Sequence, residues 1–84
     1  MKIVFAERAW EDYLYWQKND KKMLRCINGM IKEIMRTPFT GKGKPEALRE
    51  NLSGYWSRRT NLEHRLLYKV DDTAVYIVQC RFHY

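Results

Sequence analysis

The fold is decided by residues 55–82, whose sequence is YWSRRTNLEHRLLYKVDDTAVYIVQCRF. This stretch contains three runs rich in β-branched and aromatic residues, separated by two short turn sequences. The runs are Tyr55–Thr60, Glu63–Val70 and Thr73–Phe82, and the turns are Asn61-Leu62 and Asp71-Asp72. Runs of this kind with short connections predict an antiparallel meander of three strands.

The part of the chain before the meander predicts one strand followed by two helices. Residues Lys2–Ala6 form a short apolar run that is typical of a strand. From Glu7 onward the pattern becomes helical until Asn19-Asp20 interrupts it. One face of this first helix is predicted from residues that recur at three- and four-residue steps: Ala6, Trp10, Tyr13, Leu14 and Gln17.

The second helix has the clearest periodicity in the sequence. Asp20 can cap its start, and Pro38 ends it because the residue before a proline avoids helical angles. Its apolar residues repeat with the helical period and predict a stripe that faces the core, with a partner-binding face as the alternative. They are Met23, Leu24, Ile27, Met30, Ile31, Ile34 and Met35.

Together these elements predict one α+β domain over residues 1–84. A polar loop at residues 40–54, with one expected helical turn after Pro45, connects the helices to the meander. Two helices cannot cover both faces of so small a sheet, so the meander is expected to pack on them with one face and to leave the other open to solvent. We expect the functional residues on that open face.

Residue alternation along the strands predicts which side chains face the helices. The apolar even positions mark the helix side: they are Leu66, Tyr68, Val70, Tyr76, Val78, Cys80 and Phe82. Arg65 and His83 then share the open side. A two-residue turn at Asp71-Asp72 would pair even with odd positions, so this assignment requires an odd-length turn or a bulge there.

The composition favours a polyanionic partner. The 84 residues include 16 Lys and Arg against 10 Asp and Glu, and the formal net charge of +6 attracts nucleic acid, although a soluble domain that is merely basic stays open. Cys26 and Cys80 lack a CxxC spacing and are expected to be buried, reduced thiols. The apolar start at residues 1–5 is too short for a signal sequence or a membrane span, so we expect a cytoplasmic protein.

Three side chains in the second half of the chain have the chemistry needed to cleave RNA. RNA supplies its own nucleophile, the 2′-hydroxyl, so an enzyme needs only a base, a cation for the phosphate and an acid. Glu46 is the candidate base, Arg65 the phosphate-binding cation and His83 the acid. The histidines and cysteines have no metal-ligand spacing, so we expect neither a metal nor a cofactor.

The arginine that assists Arg65 depends on the Asn61-Leu62 turn. A tight turn places Arg58 opposite Arg65, whereas a bulged turn places Arg59 there. Either arrangement sets two like charges against one another, which costs stability unless an anion lies between them. A bound phosphate would resolve that conflict.

Several of these residues also have simpler structural explanations. Glu46 could form a surface ion pair with Lys44 or Arg49. His83 and Tyr84 could be a frayed chain terminus. His64 is expected to be a packed strand histidine, because its parity puts it on the helix side. The tryptophans are expected to lie in the core or to contact a partner: they are Trp10, Trp16 and Trp56.

Five segments of the chain are similar in sequence to a known family. They are Trp10–Trp16, Gly41–Glu46, Asn51–Arg59, Glu63–Leu66 and Cys80–Tyr84. These segments resemble the YoeB toxins of the RelE superfamily. The resemblance implies a type II toxin–antitoxin toxin with a RelE-like, microbial-RNase-like fold. It further implies an mRNA interferase that binds the A site of the 70S ribosome, cuts the mRNA there and so inhibits translation.

The resemblance also implies roles for single residues and for partners. Glu46 matches the family's general base, Arg65 its phosphate-stabilising residue and His83 its general acid. The expected substrate-binding residues are Lys44, Arg49, Arg59 and Tyr84, with Arg49 standing where family members can carry lysine. The expected protein partners are a YefM-like antitoxin and a second copy of the toxin.

Two other functions stay open at the level of the sequence. A related toxin scaffold of the ParE type inhibits DNA gyrase by binding, and it needs neither Glu46 nor a terminal histidine. A basic RNA-binding module without catalysis would also account for the net charge. Substitution of His83 separates both from a ribonuclease.

Overall fold

A computed structural model of the chain describes residues 1–82 and contains the predicted α+β elements in the predicted order. The strands are β1 (Lys2–Phe5), β2 (Glu46–Ala47), β3 (Trp56–Arg59), β4 (Arg65–Val70) and β5 (Ala74–Gln79). The helices are α1 (Glu7–Asn19) and α2 (Lys21–Arg36), with a 3₁₀ turn at Glu50–Leu52. The expected helical turn after Pro45 is therefore confirmed.

The sheet is larger than the predicted meander, because it has five strands in the order β1-β5-β4-β3-β2. The two-residue strand β2 adds a fourth antiparallel strand, with Glu46 paired to Ser57 and Ala47 to Trp56. At the other edge, β1 pairs in parallel with β5. Neither pairing was predicted, since a two-residue strand has no periodicity to detect and the partner of β1 lies more than 60 residues away.

Helix α2 forms as predicted and provides much of the core. Its first turn is capped by Asp20, whose Oδ1 accepts a hydrogen bond of 3.0 Å from the Met23 amide. The helix ends at Arg36, two residues before Pro38. Its buried residues pack against the sheet in one apolar cluster and include Met23, Ile27, Met30, Ile31 and Ile34. The core reading of this stripe is confirmed.

Helix α1 buries a different face from the predicted one. Its buried residues are Ala9, Asp12 and Trp16, whereas Trp10 and Leu14 are 48% and 41% exposed. The buried face includes a carboxylate because Asp12 accepts a hydrogen bond from the Cys80 backbone amide. Apolar periodicity could not reveal such a face, since one of its central residues is charged.

The hairpin of β4 and β5 contains a bulge, but at a different place from the predicted one. The turn itself is regular, with the Asp71 amide donating to the Ala74 carbonyl at 3.1 Å. The register then shifts between Tyr68 paired with Ile77 and Leu67 paired with Gln79, so Val78 is the extra residue.

The position of the bulge changes which residues of β5 face the helices. Before it, Val75 and Ile77 are buried in the core, and the predicted inward placement of Tyr76 and Val78 is wrong. After it, Cys80 is buried as predicted, whereas Phe82 is 49% exposed. Within residues 1–82, neither helix has the length and apolarity that crossing a membrane requires.

Candidate active site

Strand pairing brings three of the predicted site residues to the sheet face that points away from the helices. Glu46 lies opposite Ser57, and two residues farther along β3 Arg59 lies opposite Arg65. The usual strand spacing and rise put the Cα atoms of Glu46 and Arg65 about 12 Å apart. Side chains as long as glutamate and arginine can close around one phosphodiester across that distance.

Glu46 presents an exposed carboxylate. Among residues 1–82 its side chain has no hydrogen-bond or ion-pair partner. The alternative in which Lys44 or Arg49 neutralises it in a surface ion pair is therefore not what the structure contains. A carboxylate without a protein partner is available to accept a proton from a substrate.

The loop before Glu46 is held against β3 by backbone contacts. The Gly43 carbonyl accepts a hydrogen bond of 2.7 Å from the Arg59 amide. Gly43 has φ +83°, and a Cβ atom there would lie 2.8 Å from Met30 Cε and 2.9 Å from the Arg59 carbonyl oxygen. Only glycine fits this position, and the close approach fixes where β2 begins.

Arg58 is not part of the site, although the sequence allowed it as the partner of Arg65. It is fully buried on the helix side of β3. Its guanidinium donates to the carbonyls of Thr37 (2.6 Å), Thr40 (2.8 Å) and Lys42 (3.0 Å) and to Tyr68 Oη (3.2 Å). Arg58 therefore holds the segment between α2 and β2 in place, and its donors are not available to a substrate.

Arg59 is the residue that faces Arg65. The connection between β3 and β4 is longer than a tight turn, because Thr60 N donates to the His64 carbonyl at 3.1 Å across residues 61–63. Arg59 is exposed, and its guanidinium has no hydrogen-bond or ion-pair partner in the described part of the chain. Two cationic side chains thus face each other on the open side, as an anion-binding site requires.

Lys44 and Arg49 flank Glu46 in sequence, and both are exposed. Neither forms an ion pair among residues 1–82. Lys44 adopts φ 51°, which bends the chain immediately before Pro45 and β2. Two of the predicted substrate-binding cations are therefore close to Glu46 in the sequence, exposed, and without an ion pair in the described part of the chain.

His83 and Tyr84 lie outside the described residues. The prediction that His83 shares the open face with Arg65 accordingly stays a prediction. Phe82, the last described residue, has φ 66°, which is unusual for a bulky residue.

The two cysteines are free thiols, as predicted. Cys80 is buried, whereas Cys26 is only half-buried. Burial, reinforced by the charge of Asp12, raises the pKa of the Cys80 thiol to about 12. Within residues 1–82, no three His, Cys, Asp or Glu side chains are grouped closely enough to share a metal ion.

Three side chains from α1 and from the residue before β4 bind the backbone of residues 80–82, a feature that sequence analysis missed. Asp12 Oδ2 accepts from the Cys80 amide at 3.0 Å, and Trp16 Nε1 donates to the Cys80 carbonyl at 2.8 Å. His64 Nδ1 accepts from the Phe82 amide at 2.7 Å. We call Asp12, Trp16 and His64 the C-terminal anchor. The packed position predicted for His64 is confirmed, but its hydrogen bond to the chain end could not be foreseen.

Comparison with known proteins identifies the class of the chain. A family model described as a YoeB-like toxin of bacterial type II toxin–antitoxin systems matches residues 5–84. The curated Toxin YoeB of Synechocystis sp. is 61% identical over 84 residues, covering 100% of this chain and 98% of the relative. Toxin YoeB of Escherichia coli K12 is 56% identical over 84 residues and the whole of both chains.

Solved structures agree with this assignment. A YoeB/ParE toxin from Agrobacterium tumefaciens superposes with a TM-score of 0.97 at 46% identity, covering 100% of both chains. YoeB from Staphylococcus aureus was solved as a dimer (TM-score 0.94) and in a heterotetrameric YoeB–YefM toxin–antitoxin complex (0.93), each at 52% identity with 100% of this chain and 98% of the other covered. The chain is therefore a toxin of a type II toxin–antitoxin system. It belongs to the YoeB family of the RelE superfamily, and the sequence resemblance is confirmed.

Proposed function

We propose that this toxin is a ribosome-dependent endoribonuclease that cuts mRNA in the ribosomal A site without a metal ion and so stops translation. One observation carries the proposal. Glu46, Arg59 and Arg65 share the open face of the sheet, and neither Glu46 nor Arg59 has an ion-pair partner among residues 1–82. Membership of the YoeB family supports the same function.

The proposed reaction uses the 2′-hydroxyl of RNA as the nucleophile. Glu46 takes the proton from this hydroxyl, the 2′-oxygen attacks the adjacent phosphorus, and the bond to the 5′-oxygen breaks. Arg65, assisted by Arg59, binds the phosphoryl oxygens, whose negative charge increases in the phosphorane-like transition state. His83 gives a proton to the departing 5′-oxygen. The products are a 2′,3′-cyclic phosphate and a 5′-hydroxyl end.

The openness of the site supports the proposed dependence on the ribosome. Glu46 and Arg59 are exposed on a sheet face and do not enclose a substrate. A ribosome that holds the mRNA in a fixed orientation would supply the alignment that this face lacks, and alignment can change a rate by several orders of magnitude. The proposal places the protein in the cytoplasm, where ribosomes translate mRNA.

We further propose that the protein pairs with a YefM-like antitoxin and forms a homodimer. The support is the Staphylococcus aureus relative, which is 52% identical and was solved in both kinds of assembly. Binding of an antitoxin to the open face or to the chain terminus would neutralise the toxin directly, because the proposed catalytic residues lie there.

The test is to map mRNA 5′ ends after induction of the wild type, Glu46→Ala and His83→Gln. The wild type should produce new 5′ ends at defined places within translated codons, and both variants should lose them. Glu11→Ala removes an exposed carboxylate of α1 and serves as the matched control with wild-type cleavage. On purified ribosomes, a single 2′-deoxynucleotide at the cut site should block cleavage, because it lacks the nucleophile.

The alternatives predict different outcomes in the same experiment. A gyrase inhibitor of the ParE type would leave no mRNA ends, and its toxicity would survive His83→Gln. An RNA-binding module would bind equally well after that substitution and cleave nothing in either form. Rapid cleavage of free RNA, equal to that on ribosomes, would contradict the ribosome dependence alone.

A further inference from the structure

The backbone of residues 80–82 is held by side chains and not by pairing with β1. Two of these side chains belong to α1, and the third is His64, the residue before β4. The pairing of β1 with β5 ends where Phe5 meets Ile77, and the Ala6 amide donates to the Ile77 carbonyl at 2.9 Å. Beyond that point, side chains of α1 form hydrogen bonds with the backbone that follows β5. Asp12 binds the Cys80 amide and Trp16 binds its carbonyl, so both polar groups of this buried residue are satisfied.

His64 holds the chain two residues farther on. Its Nδ1 accepts from the Phe82 amide at 2.7 Å, while the Phe82 carbonyl accepts from the Arg65 amide at 3.1 Å. Both contacts fix Phe82 at φ 66°. Such a conformation costs free energy in a bulky residue and persists only where surrounding contacts enforce it. An acceptor at Nδ1 also requires His64 to be neutral, with its proton on Nε2.

The members of the C-terminal anchor are linked by contacts, since Asp12 and Trp16 bind the same residue and Trp16 touches His64. The rings of Trp16 and His64 meet edge to face with centroids 4.9 Å apart. Asp12, Trp16 and His64 are 6%, 5% and 9% exposed, so none of them can touch an RNA on the open face. The guanidinium of Arg81 lies 3.4 Å from the Tyr15 ring centroid, which ties a third residue of the same segment to α1.

From this geometry we propose that Asp12, Trp16 and His64 are positioning residues for catalysis. They fix the backbone of residues 80–82, which directly precedes His83 in the chain. In this way they determine the position from which the His83 imidazole can protonate the departing 5′-oxygen. The inference rests on the proposed function. A shift of about 1 Å in a catalytic group can lower a rate on the order of 100-fold, so the contacts that fix this backbone matter for the rate.

A positioning role differs measurably from a structural one. Phe82 is 49% exposed, so releasing its backbone from His64 opens few of the contacts that hold the core. Loss of the His64 hydrogen bond should therefore affect the cleavage rate far more than the melting temperature. Binding of the toxin to ribosomes should not change, because His64 is buried.

The experiment compares His64→Asn with His64→Leu, two side chains that have the same number of heavy atoms and the same branching at Cγ. Asparagine offers an oxygen near the place of Nδ1, whereas leucine offers no acceptor. In single-turnover cleavage on programmed ribosomes, we expect His64→Leu to lose on the order of 100-fold in the cleavage step with an unchanged dissociation constant. We expect His64→Asn to recover most of that loss. Tyr13→Phe, which removes only an exposed hydrogen bond of α1 to Asn28, is the control.

A second pair tests the α1 side of the anchor, and a spectroscopic measurement tests the contact itself. Asp12→Asn keeps an oxygen for the Cys80 amide and should cleave faster than Asp12→Ala. The Phe82 amide should exchange slowly with deuterium in the wild type and in His64→Asn, and quickly in His64→Leu. If His64→Leu melts below the assay temperature, His64→Gln takes its place, because its longer side chain moves the oxygen away from the Phe82 amide.

The outcomes separate this inference from the proposed function. Cleavage by His64→Leu at the wild-type rate, or equal losses in His64→Leu and His64→Asn, would overturn the positioning role while leaving the ribonuclease proposal intact. Absence of cleavage by the wild type would overturn both. Weaker ribosome binding with an unchanged cleavage step would also overturn the positioning role.

Discussion

Arg58 and Arg59 are neighbours in the chain, yet they lie on opposite faces of one strand and have opposite surroundings. Arg58 is fully buried, and three backbone carbonyls and the Tyr68 hydroxyl accept hydrogen bonds from it. Arg59 is exposed and faces Arg65. The same residue type therefore holds the fold on one side and leaves its charge available on the other.

The difference between the two faces explains how so small a protein can keep an open, charged site. On the helix side, the charge of Arg58 secures the segment that carries Gly43 and leads to Glu46. On the open side, Glu46 and Arg59 have no partners among residues 1–82. Unpartnered charges do little for stability, so the helix side must supply the stability that the site lacks.

Replacing Arg58 should produce the largest loss of stability. Arg58→Met removes the guanidinium donor from the Thr37, Thr40 and Lys42 carbonyls, and we expect the free energy of unfolding to fall by about 3 kcal/mol. Arg59→Met should change it by no more than about 0.5 kcal/mol. Urea denaturation of the two variants measures the difference. Equal midpoints would contradict the division of roles between the two faces.

A pair of glycines provides the second test. Gly43→Ala places a Cβ atom within 3.0 Å of three atoms at φ +83°, and we expect it to cost about 2 kcal/mol. Gly29→Ala, in the middle of α2 with nothing within 4 Å of its Cβ, should stabilise the protein by about 0.5 to 1 kcal/mol. Thermal melts distinguish the two signs. A neutral Gly43→Ala would mean that the loop before Glu46 is not held against β3 as described.

Parts of this arrangement could be predicted from the sequence because they depend on local patterns. Helix α2 has a regular apolar stripe and a capping aspartate, and both are local signals. An uncovered face of the sheet also followed from the presence of only two helices, and residue alternation along β4 assigned Arg65 to that face.

Other parts depend on contacts between distant residues and could not be predicted. The choice between Arg58 and Arg59 is set by the length of the connection between β3 and β4. The bulge at Val78 precedes the place where α1 replaces β1 as the partner of β5. The sequence signal that was available is Asp12 at a four-residue spacing before Trp16 on α1, where an acid on the buried face indicates a specific hydrogen bond.

A smaller effect than these changes in stability is expected for the salt dependence of RNA binding, which tests the open face alone. Arg59→Met should remove about one phosphate contact, which lowers the slope of log affinity against log salt by about 0.7 for single-stranded RNA. Arg25→Met, an exposed arginine of α2, should leave the slope unchanged. Binding of a catalytically inactive His83→Gln toxin to a short RNA at several salt concentrations provides the data. Equal slopes for the two arginine variants would mean that Arg59 contacts no phosphate.

The smallest expected effect is a pH-dependent change in melting temperature at a carboxylate. Two carboxylates can be compared, because Asp71 has hydrogen-bond partners whereas Glu46 has none among the residues described. Asp71 Oδ1 accepts from the amides of Thr73 (2.8 Å) and Ala74 (2.9 Å), and its Oδ2 accepts from the Tyr76 hydroxyl (3.0 Å). Hydrogen bonds led by the Thr73 amide lower the pKa of Asp71 from 3.8 to about 2.

A pKa that is lower in the folded state means that ionised Asp71 stabilises the fold above about pH 4, and that this contribution disappears as the pH falls through about 2. The melting temperature of Asp71→Ala should therefore lie below that of the wild type by a constant amount between pH 5 and pH 7. The gap should narrow steadily between pH 4 and pH 2, because the wild type loses the contribution that the variant never had. At pH 7, Glu46→Ala should melt close to the wild type, since it removes no hydrogen bond or ion pair of that side chain within residues 1–82. A gap for Asp71→Ala that stays constant down to pH 2 would show that the charge of this carboxylate does not hold the turn.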